Sequence, residues 1–218
     1  ARNQYILFSF PSCENMLAQP GKKLIVLLTA GLLLAVLLMV ISRFGVLIFL
    51  LFAALLVFFA YFFRDPERKT GKQIVSPADG IVADIDEKRN FIAIFMNVHD
   101  VHVNRAPEAG KILRVEHHDG KHYSAFGKRV CENEHTLIEL ESNSGKFKIV
   151  QIAGVFARRI VTYVKPGDIV EKGQRIGIIF LGSRVELHMP QNTKFVVKRG
   201  EKVKAGETTI GVWLNAVD

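Results

Sequence analysis

From Leu24 to Ser42 the chain carries no charged residue, and after Arg43 the run Phe44 to Phe63 is again uncharged and almost wholly apolar. Each run is close to the ~20 residues that a helix needs to cross the hydrocarbon of a bilayer. Their length sets them apart from the apolar stretch of a cleaved leader, which is only ~7–15 residues. Neither run has the polar face of a helix lying in the membrane surface. The short punctuation Ser42-Arg43-Phe44-Gly45 predicts a helical hairpin, with one continuous kinked helix as the alternative. Lys22 and Lys23 precede the first run, and Arg64, Arg68 and Lys69 follow the second, partly offset by Asp65 and Glu67. Positive flanks favour the cytoplasmic side, so both ends of the hairpin are expected there, at the cell membrane, with the rest of the chain. Arg43, alone at the far interface, has a side chain long enough to reach back to the headgroups.

Setting the hairpin aside divides the 218 residues into a juxtamembrane lead (1–23), the two-helix hairpin (24–63) and a remainder (64–218) of a size that suits one compact domain. Cys13 and Cys131 form no disulfide framework and no metal pattern, which fits a reducing compartment. The formal charge of +8 admits nucleic acid or an anionic lipid surface as partner. Beside a membrane hairpin the lipid surface is the better reading, each nearby basic residue contributing about 1 kcal/mol, and no nucleic acid is expected.

After Arg64 no long amphipathic period of 3.6 residues occurs. Short runs rich in β-formers take its place: Ile81 to Ile85, Phe91 to Phe95, Ile112 to Glu116, His135 to Glu141, Lys146 to Ile152 and Ile160 to Val164, with turn signals between them. Val164-Lys165-Pro166-Gly167-Asp168-Ile169-Val170-Glu171-Lys172-Gly173 is nearly repeated by Val197-Lys198-Arg199-Gly200-Glu201-Lys202-Val203-Lys204-Ala205-Gly206. Two such turn–strand–turn copies suggest related hairpins facing each other. The expected fold is therefore mainly β, a compact domain like a barrel-sandwich hybrid, preceded by the transmembrane hairpin.

Between the second repeat and the first stands Gly182-Ser183. A glycine carbonyl has no side chain to shield it, and a serine hydroxyl can attack it once a base takes the proton; histidine backed by aspartate is the usual base. Ser76-Pro77-Ala78-Asp79-Gly80 and His99-Asp100-Val101-His102 offer those partners. Each piece alone is ordinary: Gly-Ser occurs in many loops, and Asp-Gly after proline is common turn chemistry. The pair His99 and His102 also admits zinc, although no further ligands at a recognised spacing accompany it. His117, His118, His122, His135 and His188 read as surface or loop residues.

Taken in order, Phe63-Arg64-Asp65-Pro66-Glu67-Arg68, Ser76-Pro77-Ala78-Asp79-Gly80, His99-Asp100-Val101-His102-Val103-Asn104-Arg105-Ala106-Pro107, Gln151-Ile152-Ala153-Gly154 and Gly182-Ser183-Arg184-Val185-Glu186 resemble the phosphatidylserine decarboxylase proenzymes, in the short form with an N-terminal membrane hairpin. The resemblance implies a lyase that converts phosphatidylserine to phosphatidylethanolamine and CO2. It implies a precursor that cuts itself between Gly182 and Ser183 into a large chain (1–182) and a small chain (183–218), which stay together as a heterodimer and admit a homo-oligomer. By the same resemblance Ser183 becomes a covalent pyruvoyl cofactor that forms a Schiff base with the substrate amine. His102 acts as base in maturation, Asp79 orients it, and His99 serves in substrate turnover, with no metal required. The competing expectations are a membrane-anchored, biotinyl-like adaptor or carrier module without activity, supported by the near-repeat, and a zinc hydrolase built on the histidine pair.

Overall fold

The apolar runs form α1 (Gln19–Ile41) and α2 (Arg43–Phe62) in a computed structural model that describes residues 18–41, 43–121, 123, 132–154, 159–180 and 183–214. Both helices are long and apolar enough to cross a membrane, over Gly21–Met39 and Phe44–Phe62. Small residues let them approach: Gly21 meets the Phe63 side chain, Gly31 meets Phe52, and Gly45 backs onto the Leu38–Met39 backbone. Those contacts run in opposite chain directions, so the pair is a hairpin and not one kinked helix. Arg43, Phe44 and Gly45 belong to α2, and of the expected punctuation only Ser42 separates the helices; it lies outside the described residues, as do the lead 1–17 with Cys13.

The chain separates into two compact units, the first ending at Glu67 and the second starting at Arg68. In the second unit the runs of β-formers become strands: β1 (Ile74–Val75), β2 (Gly80–Asp86), β3 (Phe91–Met96), β4 (Val103–Arg105), β5 (Gly110–His118), β6 (His135–Ser142), β7 (Gly145–Ile152), β8 (Ile160–Thr162), β9 (Ile169–Val170), β10 (Arg175–Ile179), β11 (Ser183–His188), β12 (Thr193–Phe195), β13 (Lys202–Val203) and β14 (Thr209–Trp213). They make an eight-stranded sheet in the order β13-β2-β3-β11-β7-β6-β5-β9 and two three-stranded sheets, β4-β10-β8 and β1-β14-β12. The unit is mainly β, as expected, but the large sheet is open and no closed barrel forms among the described strands.

The near-repeat explains the two edges. β9 of the first copy pairs with β5, and β13 of the second pairs with β2, at opposite ends of the large sheet. The backbone bonds match: Gly167 N–H donates to Ile112 O and Gly200 N–H to Val82 O, while Asp168 O and Glu201 O accept from Ile112 and Val82. The four repeat glycines, Gly167, Gly173, Gly200 and Gly206, all have φ between 75° and 97°, where a side chain is strained. The copies thus cap opposite edges, and their ends meet at Gly173 and Gly206, where a Cβ on Gly206 would lie 3.5 Å from Gly173 Cα. Alternation along the long strands turns Ile92, Ile94, Ile138, Leu140, Phe147, Ile149, Val185 and Leu187 into one core, closed by Ile74, Ile176, Ile179, Phe195 and Ile210 from the small sheets.

Candidate active site

Two segments leave the large sheet for a small one side by side. β3 ends at Met96 and reaches β4 through residues 97–102; β10 ends at Ile179 and reaches β11 through residues 180–182. Register locks them at both ends. Ser183 pairs with Met96 on one side, while on the other Ile178 pairs with Val103 and Ile179 N–H donates to His102 O at 3.3 Å. The His99–His102 segment therefore lies beside the described residues on either side of 181–182, Ile179 and Ser183. Gly182 itself lies outside the described residues.

The first crossover is built by its own aspartate. Asp100 N–H donates to Asn97 O at 2.9 Å, and Asp100 Oδ2 reaches back to accept the Asn97 N–H at 2.8 Å, so one residue closes the four-residue turn twice. Asp100 then presents its carbonyl to His102 Nδ1 at 2.9 Å. A carbonyl only accepts, so in the neutral imidazole Nδ1 carries the hydrogen and Nε2 presents its lone pair, the tautomer a general base needs. His102 is fully buried whereas His99 is exposed. The two histidines thus occupy different environments, and among the described residues no three His, Cys, Asp or Glu side chains gather to hold a metal ion.

Asp79 comes from the other side of β3. Ile81 pairs with Phe95, the same residue that Arg184 pairs with across β3, so the Asp79-Gly80 turn and Ser183 flank the end of β3 from opposite sides. Gly80 has φ 146°, and a Cβ there would collide with the Phe95 carbonyl oxygen, which is why the turn needs glycine. The Asp79 carboxylate is buried, gripped by both terminal nitrogens of Arg68 at 2.6 and 2.8 Å and by the Ala205 N–H at 2.8 Å. Asp79 and His102 are brought to the same end of the sheet without being hydrogen-bonded to each other: the orienting contact on the imidazole comes from Asp100.

Ser183 opens β11 and is fully buried. Among the described residues its hydroxyl donates only to the Met96 sulfur at 3.8 Å, a weak acceptor. Asn104 Nδ2 reaches the same sulfur at 3.6 Å, and Asn104 Oδ1 accepts from Gln151 Nε2 at 2.7 Å. On the opposite face of β11, Arg184 pairs with Glu186 at 2.8 Å. Farther along the strand, burial, reinforced by Lys148 and Arg89, holds the His188 imidazole below its ordinary pKa of 6.5.

Sequence reading singled out Asp79, His99, His102 and Ser183, and the structure sets all four around one end of β2, β3 and β11. It gave no role to Arg68, Asp100, Asn104 or Gln151. Arg68 looked like one more flanking charge. Asp100 was legible as a turn former, but which histidine it serves needed the fold. Asn104 and Gln151 carried a signal as polar residues inside apolar strands.

The family model for phosphatidylserine decarboxylase matches residues 55–211. A protein of Archaeoglobus fulgidus, provisionally named an archaetidylserine decarboxylase proenzyme, is 51% identical over 160 residues, covering 72% of this chain and 80% of the relative. The phosphatidylserine decarboxylase proenzymes of Desulfotalea psychrophila and Syntrophus aciditrophicus are 47% identical over 178 residues and 44% identical over 171, covering 75% and 72% of this chain and 82% and 80% of the relatives.

Proposed function

The chain belongs to the phosphatidylserine decarboxylase family, and we propose that it is a membrane-bound proenzyme that cuts itself between Gly182 and Ser183 and then decarboxylates the serine head group of phosphatidylserine. The observation that carries this reading is the buried Ser183 on the crossover beside His102.

In maturation Ser183 Oγ attacks the Gly182 carbonyl carbon, the Gly182–Ser183 C–N bond breaks, and the displaced nitrogen takes up the proton, leaving an ester. A base then removes the Cα hydrogen of residue 183, the Cβ–Oγ bond breaks, and Gly182 leaves as a carboxylate. Water adds to the dehydroalanine that remains and ammonia departs, which leaves a pyruvoyl group. His102 has the tautomer for the base. Asp79, paired with Arg68, stands at the same end of the sheet. The pyruvoyl group supplies an electrophilic carbonyl that takes up an amine and draws off the electrons left as CO2 departs.

The residues suit such a group. The site is closed to solvent at Ser183 and surrounded by neutral amides, Asn104 and Gln151, which do not compete with a substrate amine as a cation would. His99, exposed on the crossover, is placed to deliver a proton from the solvent side. A cut before Ser183 leaves β11 bonded to β3 and β7 and leaves Val185, Leu187 and Ile210 in the core, which supports a lasting heterodimer of residues 1–182 and 183–218. The hairpin supports attachment to the cytoplasmic membrane with the β unit on the cytoplasmic side, following the positive flanks. The serine head group is shared with the archaetidylserine in the name of the Archaeoglobus relative. The carrier-module alternative is not favoured, because the decarboxylase match spans both copies of the near-repeat.

Replacing Ser183 by Ala tests the reading: the variant is expected as one uncleaved chain that releases no CO2 from phosphatidylserine in mixed micelles. Activity retained by an uncleaved Ser183→Ala chain would contradict it.

A further inference from the structure

Gln151 is fully buried on β7, between Val150 and Ile152 in the strand and beside Thr136 on β6. Its register partner on β11 is Val185; paired residues share a sheet face, and Ser183, two residues back on the same buried face, is its diagonal neighbour. Gln151 Nε2 donates to Asn104 Oδ1 at 2.7 Å, and Asn104 and Ser183 meet on the sulfur of Met96. Gln151 Oε1, however, is buried without a hydrogen-bond partner. An unmet buried acceptor costs about 1–3 kcal/mol, and a purely structural residue would have no reason to retain it.

The fold also makes room for this amide. Gly177, paired with Asn104 across β4 and β10, has its missing Cβ position 2.8 Å from Gln151 Nε2. Any larger residue would push the amide away, so the glycine, Asn104 and Gln151 form one arrangement that holds the amide on the sheet face it shares with Ser183.

We propose that Gln151, held by Asn104, is a substrate-specificity residue whose Oε1 accepts the N–H of a primary amine bound at position 183, so that the site selects amine-bearing head groups. The proposal rests on the reading of Ser183 given above. When such an amine, as its ammonium, joins the carbonyl at position 183, its nitrogen would bond to the carbon, the oxygen would leave as water with two of the three hydrogens, and the third would stay on the positively charged nitrogen. That hydrogen is the donor that Oε1 lacks.

The test uses the full-length chain in detergent with glycerophosphoserine as the soluble amine and cyanoborohydride as the trapping reductant, reading the intact mass of the small chain. Gln151→Met keeps the shape and removes the acceptor. It is expected to be cleaved normally, with a small chain of wild-type mass, while the glycerophosphoserine concentration giving half-maximal capture rises about 10- to 100-fold, as for a hydrogen bond to a charged partner. Gly177→Ala, which displaces the amide while residue 151 stays glutamine, is expected to weaken capture in the same direction, and Gln151→Glu, which keeps an acceptor oxygen, is expected to retain it. A residue that only packs would leave capture unchanged in a cleaved Gln151→Met chain, and that result overturns the proposal. Failure of both Gln151→Met and Gln151→Glu to cleave also overturns it, because Gln151 is assigned a role only after cleavage. A wild-type chain that never cleaves removes the reading of Ser183, and the proposal with it, and is told apart by the absence of any small chain.

Discussion

Arg68 holds both oxygens of Asp79 and also donates to Ala205 O at 3.0 Å, and its side chain is only 6% exposed. Removing one member of a buried ion pair leaves the other charge without compensation, at a cost of about 3–5 kcal/mol. Arg68→Ala is therefore expected to lower thermal stability and to slow self-cleavage markedly, because Asp79 loses the contacts that fix it. Arg68→Lys keeps a charge but not the planar fork and is expected to fall between. Time courses of chain cleavage on a denaturing gel, beside melting curves, check this; a rate equal to wild type in Arg68→Ala would detach Asp79 from maturation. Asp79, His102 and Ser183 were legible as residue types that suit the chemistry. Arg68 was not, because its partners lie 11 and 137 residues away in sequence and a charge after an apolar helix is most often solvated. The Asp100 carbonyl on His102 was equally out of reach, since a backbone acceptor leaves no mark in composition.

The strands were the readable elements, because alternation writes burial directly into sequence: β6 and β7 extend only a residue or so beyond the expected runs. What alternation does not fix is which strands pair. The two repeats predict facing hairpins, and the copies do meet at Gly173 and Gly206, but their two-residue strands, β9 and β13, dock on different edges of the sheet, which the pattern did not indicate. β11 carries a further consequence. His188 packs against the Phe91 ring with centroids 5.1 Å apart, and its imidazole titrates below 6.5 in the folded chain. Between that depressed value and 6.5 the unfolded chain binds the proton and the folded chain does not, so stability falls as pH drops through this window. The melting temperature in detergent is expected to decrease from about pH 7.5 to about pH 5.5, and His188→Gln to remove part of that decrease. An identical pH dependence in the variant would show that other groups are responsible.

On the scale of the whole molecule, the sequence divided cleanly into an apolar part and a β part because two solvents impose two different patterns: near-continuous hydrophobicity in lipid, alternation in water. The hairpin was legible from length and flanks. The open form of the large sheet was not, since closure depends on edge pairing that no single strand encodes. The β unit is arranged so that a cut before Ser183 changes its covalent structure without removing its architecture. β11 lies between β3 and β7, and the small chain also supplies β12, β13 and β14. Such a protein is expected to remain one folded particle while becoming two chains. The intact mass of the purified wild-type protein under denaturing conditions tests this most directly. Two chains divided between Gly182 and Ser183, the smaller one lighter by one ammonia than simple hydrolysis gives, are the predicted result; a single intact chain in a preparation that decarboxylates phosphatidylserine would contradict the account.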